Sequence, residues 1–358
     1  MSWEKVRLGD IIQIKKGTYI TKKEAKEGPY PVILGGQEPA YYIDTFNHTG
    51  KAIVISRSGA SAGYISFWNE PIFVTDGFLI EPNGNTSIDF LYYLLKSRQS
   101  ELQGKQGGAA IPHVNPRTKN AIEVMLPSPS IQKRVVSILS AYDDLIGNNQ
   151  KQIELLEEAA QRLYKEWFVD LRFPGYETTP IVDGSLEGWM QLSLEQVAPI
   201  LTGKKDANFS TEDGQYPFFT CAQTPLQAPS YSFDCDAVIL AGNGDFNVKL
   251  YRGQFEAYQR TYVLSPENKE FLFLLYHAVN NSMAKLAQGA SGSTIKFLTK
   301  GMIASIPVYV PDELTLNKFN ELSEAIQKQI ETLKNAVACA TEARDRLLPK
   351  LMSGEIEV

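Results

Sequence analysis

At 358 residues, with 43% apolar and 21% charged residues, the chain is long enough for two or three domains that each bury a core, which excludes a disordered polypeptide. No apolar stretch approaches the roughly 18 residues of a membrane span and no apolar signal core opens the chain, so a cytoplasmic protein without membrane contact is expected. Cys221, Cys235 and Cys339 are too scattered for a zinc-ligand set or a disulfide framework, and a formal net charge of -6 lacks the basic excess of a free-standing nucleic-acid binder.

In chain order, the first half offers short strand candidates at 52–56, 72–75 and 78–81, bounded by Gly, Pro, Asn or Asp. Asp89 signals an apolar helix carrying Phe90, Leu91, Tyr92, Tyr93, Leu94 and Leu95. A Gly-rich stretch follows at 104–110, and an apolar run, 122–127, ends in proline. The period then changes: Ile131, Val135, Ile138, Tyr142, Leu145, Asn149, Ile153, Leu156, Ala160 and Leu163 step by three or four residues, the spacing of a narrow apolar stripe on one long helix. Gly147 and the two asparagines after it weaken that run, the glycine by about 1 kcal/mol. Residues 170–188 have no apolar period and read as a connector. Strand candidates return at 237–241 and 261–264, then Asn268 as the signal for a helix with Phe271, Leu272, Phe273, Leu274, Leu275 and Tyr276. A Gly-rich stretch at 289–293 and a run ending at Pro311 precede a second stripe: Phe319, Leu322, Ile326, Ile330, Leu333, Val337 and Ala340.

The second half therefore repeats the first. Trp3 and Trp189, Gly17 and Gly203, and Tyr30-Pro31 and Tyr216-Pro217 are each 186 apart; the offset slips to 185 at Ala52 and Ala237, and to 184 at Pro127 and Pro311. A period this long is a whole domain plus helix, not a solenoid unit. The expected class is α+β: two similar domains of short strands plus a helix, alternating with two long helices. The segments are 1–127, 128–170, 171–311 (connector and second domain) and 312–358. A helix of roughly 40 residues would be about 60 Å long, and two such helices most simply bury their stripes against each other. The helical segments together hold 11 basic and 16 acidic residues, so the globular segments are near neutral. A DNA-binding role would then need a local basic face or basic partner subunits.

Catalytic constellations are absent. Ala241-Gly242-Asn243-Gly244-Asp245 has glycine spacing but no following Lys-Ser or Lys-Thr, and reads as a turn. Asn115-Pro116-Arg117 is not the Asn-Pro-Pro-aromatic signature of amino-methylating enzymes. His48, His113 and His277 lie in unlike contexts, the last reading as a satisfied core residue.

Two stretches at the helix ends carry a family likeness. Leu163-Tyr164-Lys165-Glu166-Trp167-Phe168 with Leu171-Arg172-Phe173-Pro174-Gly175, and the closing Leu347-Leu348-Pro349-Lys350-Leu351-Met352-Ser353-Gly354-Glu355-Ile356, resemble the DNA-sequence specificity subunit of type I restriction-modification systems. Gln132-Lys133 after Pro129, and Ile295-Lys296 before Leu298-Thr299-Lys300-Gly301, resemble its usual text too. The resemblance implies two target recognition domains, each reading one half of a split site on double-stranded DNA, and a pseudo-twofold layout. It also implies two long helices paired as an antiparallel coiled coil that set the spacer and dock two methyltransferase subunits, with two restriction subunits joining in some complexes. S-adenosylmethionine, ATP and Mg would sit on those partners; this chain would hold no cofactor or metal and catalyse nothing. Half-sites one DNA turn apart are about 34 Å between centres, and because the copies differ in sequence the site should be asymmetric.

Base edges need forked or amide side chains, and phosphates need Lys, Arg, hydroxyls and backbone amides. The candidates are Thr18, Tyr19, Lys22, Lys23, Arg57, Ser58, Lys105 and His113 in the first half, and Lys204, Lys205, Asn243, Arg260, Ser291, Ser293 and Lys296 in the second. Trp167, Phe168, Leu347, Leu348 and Leu351 either face a methyltransferase subunit or seal the ends of the helix pair. Three other readings compete: a specificity half of a related single-complex restriction-methylation enzyme, a nuclease using Asp76, Glu81 or Asp245, and a coiled-coil adaptor.

Overall fold

A computed structural model describes residues 3–21, 23–34, 36, 38–57, 61–104, 122–182, 185–292 and 296–358. Five candidates, Lys22, Ser58, Lys105, His113 and Ser293, lie outside them. The chain divides into two compact units, residues 1–149 with 335–358 and residues 150–334. The sequence partition follows the chain, whereas compactness cuts across it. Each unit takes one globular domain, one half of the first long helix and one half of the second.

In the first unit Trp3–Arg7 pairs antiparallel with Glu123–Pro127. A four-stranded antiparallel sheet runs Ile12–Lys16, Gly77–Pro82, Lys51–Ser56, Ile65–Asn69. A three-stranded sheet runs Tyr41–Ile43, Tyr30–Ile33, Phe73–Val74, with Val32 and Phe73 in parallel register. The helix Ile88–Lys96 is capped by Ser87, whose side chain accepts from Phe90 N. It buries Phe90, Leu91, Tyr93, Leu94 and Leu95 in one core with Ile131, Val135 and Leu139 of the first long helix and Leu348, Leu351 and Met352 of the second. Arg344 of the second meets Asp143 of the first, so the two helices run antiparallel here.

The second unit repeats this plan with one change. Met190–Ser193 pairs with Pro307–Val310, and a single six-stranded sheet runs Ile200–Thr202, Thr261–Leu264, Phe233–Ala241, Val248–Ala257, Tyr216–Phe219, Leu226–Ala228. Its ten-residue strand Val248–Ala257 spans what the first unit splits into Ile65–Asn69 and Phe73–Val74. The split falls at Pro71, which has no N–H to give a ladder and interrupts the strand. Glu157 pairs with Lys334 at 3.2 Å while Tyr164 lies beside Phe319, so the helices are antiparallel in this unit as well.

The long helices are Pro129–Tyr164, which ends in a π-helical turn at Lys165–Val169, and Glu313–Ser353. Helix persists through Gly147. An offset of 184 matches many of their buried positions: Val135 with Phe319, Leu139 with Ser323, Ile146 with Ile330, Asn149 with Leu333, Tyr164 with Leu348, Trp167 with Leu351. Two members of the expected stripes are corrected. Leu145 and Leu322 are 47% and 46% exposed, and their neighbours Ile146 and Ser323 are buried instead.

The offset also corrects one pairing made from sequence. Leu274, Leu275, His277, Ala278 and Val279 reproduce the burial of Phe90, Leu91, Tyr93, Leu94 and Leu95, so Phe90 corresponds to Leu274 rather than Phe271. The second helix starts earlier, because Asn268 caps a 3-10 turn at Lys269–Phe271 that leads into Leu272–Gly289. The connector is not featureless either: Ile181–Val182 pairs with Ser185–Leu186.

Candidate nucleic-acid interface

In the second unit the glycine-rich segments converge on one end of the sheet. Gly203 N donates to Thr261 O (3.2 Å) and Gly242 N to Arg260 O (2.8 Å). Lys205 bridges to Tyr258 in parallel, and Gln259 N donates to Lys205 O. Gly244 N donates to Lys296 O, Leu298 N to Gly242 O, and Ser291 exchanges two bonds with Phe297. Lys204, Lys205, Asn243, Arg260, Ser291 and Lys296 are thereby gathered at one end, although they span nearly a hundred residues of chain. The glycine at 203 is required, since a Cβ there would stand 1.9 Å from Ala257 O. Lys205 holds its ammonium 4.3 Å above the Phe209 ring.

The equivalent end of the first unit repeats two of these bonds, those from Gly17 and Arg57. Gly17 N donates to Gly77 O (3.0 Å), Thr18 N to Val74 O (2.9 Å) and Arg57 N to Asp76 O (3.4 Å). A Cβ on Gly17 would meet Val74 O and Thr75 O at 2.6 and 2.3 Å. Thr18, Tyr19 and Arg57 are exposed and flank the segment 74–77, Tyr19 at 81%. Lys23 is exposed on a separate turn, which Glu24 closes by accepting from Thr21 N and Oγ1; those two bonds hold the Glu24 carboxyl below its usual range.

Amide side chains that the sequence reading passed over stand at the second unit's end. Gln259 Nε2 donates to Asp206 (2.6 Å), Gln223 Nε2 to Asp245 (2.5 Å), and Asn247 Nδ2 to Cys221 O (3.1 Å). Lys249 donates to Ala222 O, and burial lowers its pKa. The signal available was the run Thr220-Cys221-Ala222-Gln223-Thr224, a loop with three polar residues directly after the aromatic strand Tyr216–Phe219. Cationic and amide groups thus crowd one edge whose two carboxylates are each occupied by an amide, the local basic face that a near-neutral domain needs for phosphate.

The residues assigned to subunit docking are corrected by their burial. Trp167 and Phe168 are 6% and 1% exposed, locked in an aromatic cluster in which Phe168 meets Phe319 at 4.8 Å and Trp189 at 5.6 Å. Phe173 packs at a tilt against the same Trp189, 4.7 Å between ring centroids. Leu348 and Leu351 are buried in the core of the first unit, and Leu347 is partly buried against it. None of the four buried side chains has a face for a partner; they seal the helix ends, the other role open to them.

Carboxylates named for a nuclease do not form a site. Asp76 pairs with Arg57, and Glu81 with Lys15 near the far end of its strand. Among the described residues no group of three or more His, Cys, Asp or Glu is placed to hold a metal ion, and no helix is long and apolar enough to cross a membrane.

The duplicated domain, the antiparallel helices within each unit and the cation- and amide-rich sheet end of the second unit suit recognition of DNA, and comparison with known proteins names the family. Residues 1–158 and 186–336 match the type I restriction modification DNA specificity domain, and the chain belongs to that family, whose role is DNA recognition and not catalysis. It is 38% identical over 174 residues to the EcoDI specificity subunit of Escherichia coli, an alignment spanning 47% of this chain and 38% of that protein. To the MjaIX specificity subunit of Methanocaldococcus jannaschii it is 25% identical over 375 residues, 95% of this chain and 87% of the relative. The crystal structure of a type I S subunit from M. genitalium shares its fold, with a TM-score of 0.64 at 18% identity over 98% of this chain and 96% of that one.

Proposed function

We propose that this chain is the subunit that chooses the DNA sequence for a type I restriction-modification complex, each domain reading one half of a bipartite, asymmetric site. The observation that carries this reading is the repetition of one backbone frame with different side chains on it. Gly17–Gly77 and Gly203–Thr261 make the same bond, as do Arg57–Asp76 and Gly242–Arg260, yet the groups presented differ. One scaffold displaying two side-chain sets suits two unlike half-sites.

The long helices then act as a spacer and as the surface on which two methyltransferase subunits dock, with restriction subunits joining them. Their exposed apolar residues, Leu145 in one unit and Leu155 and Leu322 in the other, suit that role better than the buried helix-end motifs. S-adenosylmethionine, ATP and Mg belong to those partners. With a net charge of -6, the chain alone binds DNA weakly, and partner subunits supply most phosphate contacts.

The test is to co-express the chain with the methyltransferase subunit encoded beside it and map modified adenines by single-molecule sequencing. Full methylation of one split, asymmetric motif, lost when the chain is omitted, is the expected result. A folded, active complex with no chain-dependent motif, or with a palindromic one, would overturn it.

A further inference from the structure

The two recognition ends share a backbone frame but carry their arginine on opposite sides of it. The bonds Arg57 N to Asp76 O and Gly242 N to Arg260 O set Arg57 level with Gly242, and Asp76 level with Arg260. Between the repeats the arginine has crossed one hydrogen bond. Sterics enforce the exchange in the second repeat: a Cβ on Gly242 would stand 2.4 Å from Arg260 O and 2.7 Å from the Tyr262 ring. No side chain fits where the first repeat carries Arg57.

The surroundings differ as well. Arg57 Nε lies 3.5 Å from Asp76 Oδ1, with 45% of the arginine side chain exposed. An ion pair on the Nε side leaves both terminal nitrogens without an ion pair among the described residues, and the nearby carboxylate favours one side for the fork. That is the donor geometry matching O6 and N7 of guanine in the major groove. Arg260 is exposed and has no ion pair among the described residues. The carboxylates at its end of the sheet, Asp206 and Asp245, are bonded by Gln259 and Gln223. An arginine with full charge and free rotamers suits a phosphate, which needs charge more than orientation.

We propose that Arg57, oriented by Asp76, reads a guanine in the half-site of the first domain, whereas Arg260 contacts phosphate in the second and carries no base identity. The inference rests on the DNA-specificity reading above. It assigns one specificity-determining pair and separates it from a contact that sets affinity alone.

The experiment uses the full complex with the methyltransferase subunits. Competitive binding is measured on duplexes in which each base pair of the wild-type motif is replaced in turn, at several salt concentrations. Arg57→Lys is expected to lose discrimination on the order of 10- to 100-fold at one G·C pair of one half-site, leaving other positions intact. Arg57→Gln moves the preference there toward A·T, since an amide matches adenine N6 and N7. Asp76→Asn weakens the same position only. Arg260→Ala lowers affinity for all duplexes alike and reduces the salt slope by about one.

Arg57 variants that keep wild-type discrimination at every position, whether or not affinity falls uniformly, would overturn the inference. So would an Arg260→Ala variant relaxed at a single base pair. Unchanged discrimination at the remaining positions reports an intact fold. A wild-type complex with no motif would instead remove the specificity reading itself; an intact wild-type motif with the negative results above removes this inference alone.

Discussion

Arg344 Nη1 donates to Asp143 Oδ1 at 2.7 Å, joining residues 201 positions apart in the chain. The same carboxylate receives the Tyr93 hydroxyl at 2.6 Å, so one side chain ties the buried helix of the first recognition domain to both long helices. Burial first, then the bond to Asp143, pushes the Tyr93 phenol far above its usual range, which keeps it a donor at every relevant pH. Arg344 and Asp143 are 26% and 31% exposed, so their attraction is only partly screened.

Removing the acceptor should cost more than removing Arg344, because it strands the Tyr93 hydroxyl in the core, whereas Arg344 keeps its bonds to Asp345. Asp143→Ala is expected to lower stability by about 2–4 kcal/mol in urea and Arg344→Ala by about 1–2 kcal/mol. The double variant should show a coupling of about 1 kcal/mol. Strict additivity would mean that the pair are mere neighbours.

His277 occupies in the second unit the burial position of Tyr93 and uses it differently. Its ring stacks near Tyr164 and edges on Phe319, with Nδ1 3.4 Å from Gln161 Oε1. Burial lowers its pKa to about 4. A base held neutral in the fold stabilises fully above its unfolded pKa of about 6.5, and that contribution is lost as pH falls from about 6.5 toward 4, because the unfolded chain takes up the proton first. The whole window is worth about 3 kcal/mol. Between pH 7.5 and 5 the wild type should lose about 2 kcal/mol more than His277→Phe in urea titrations. Equal losses would mean the imidazole is hydrated in the native protein.

The repeat was legible in sequence because its landmarks are residues that backbone geometry cannot exchange. Gly17 and Gly203 each press against a neighbouring carbonyl, so they persist while the letters around them change. Glycine convergence was legible for the same reason, and with it most of the basic end. Helix-face assignment was less so: a step of three or four admits both Leu145 and Ile146, and only packing chooses the second. The specific likeness of Trp167 and Phe168 to a family motif signalled importance but not direction, and their importance lies in the core. Gln223 and Gln259 escaped notice because an isolated glutamine in a polar loop has no periodicity to betray it. Nor could sequence show that Pro71 alone turns one long strand into two, since that needs the unbroken Val248–Ala257 beside it for comparison.

Ser323 shows how far the two copies have diverged inside. It is 3% exposed, its hydroxyl has no hydrogen-bond partner among the described residues, and it stands where the first unit buries Leu139 completely. Around it the second unit also replaces Asp143 by Gln327 and Arg344 by Ala160, at the same offset of 184. All three replacements line a cleft of about 680 Å3 whose wall also includes Gln161, Tyr276 and His277. Reciprocal exchange should therefore act in opposite directions. Ser323→Leu removes a buried orphan hydroxyl and extends apolar contact toward Ile326 and Ile330, and should stabilise by about 1 kcal/mol. Leu139→Ser places a hydroxyl in a closed core and leaves a void, at a cost of about 3–4 kcal/mol. Urea midpoints of the two variants measure both. Destabilisation by Ser323→Leu would mean that the hydroxyl is bonded by water filling the cleft, and that the second unit depends on a wet interior where the first is closed by an ion pair.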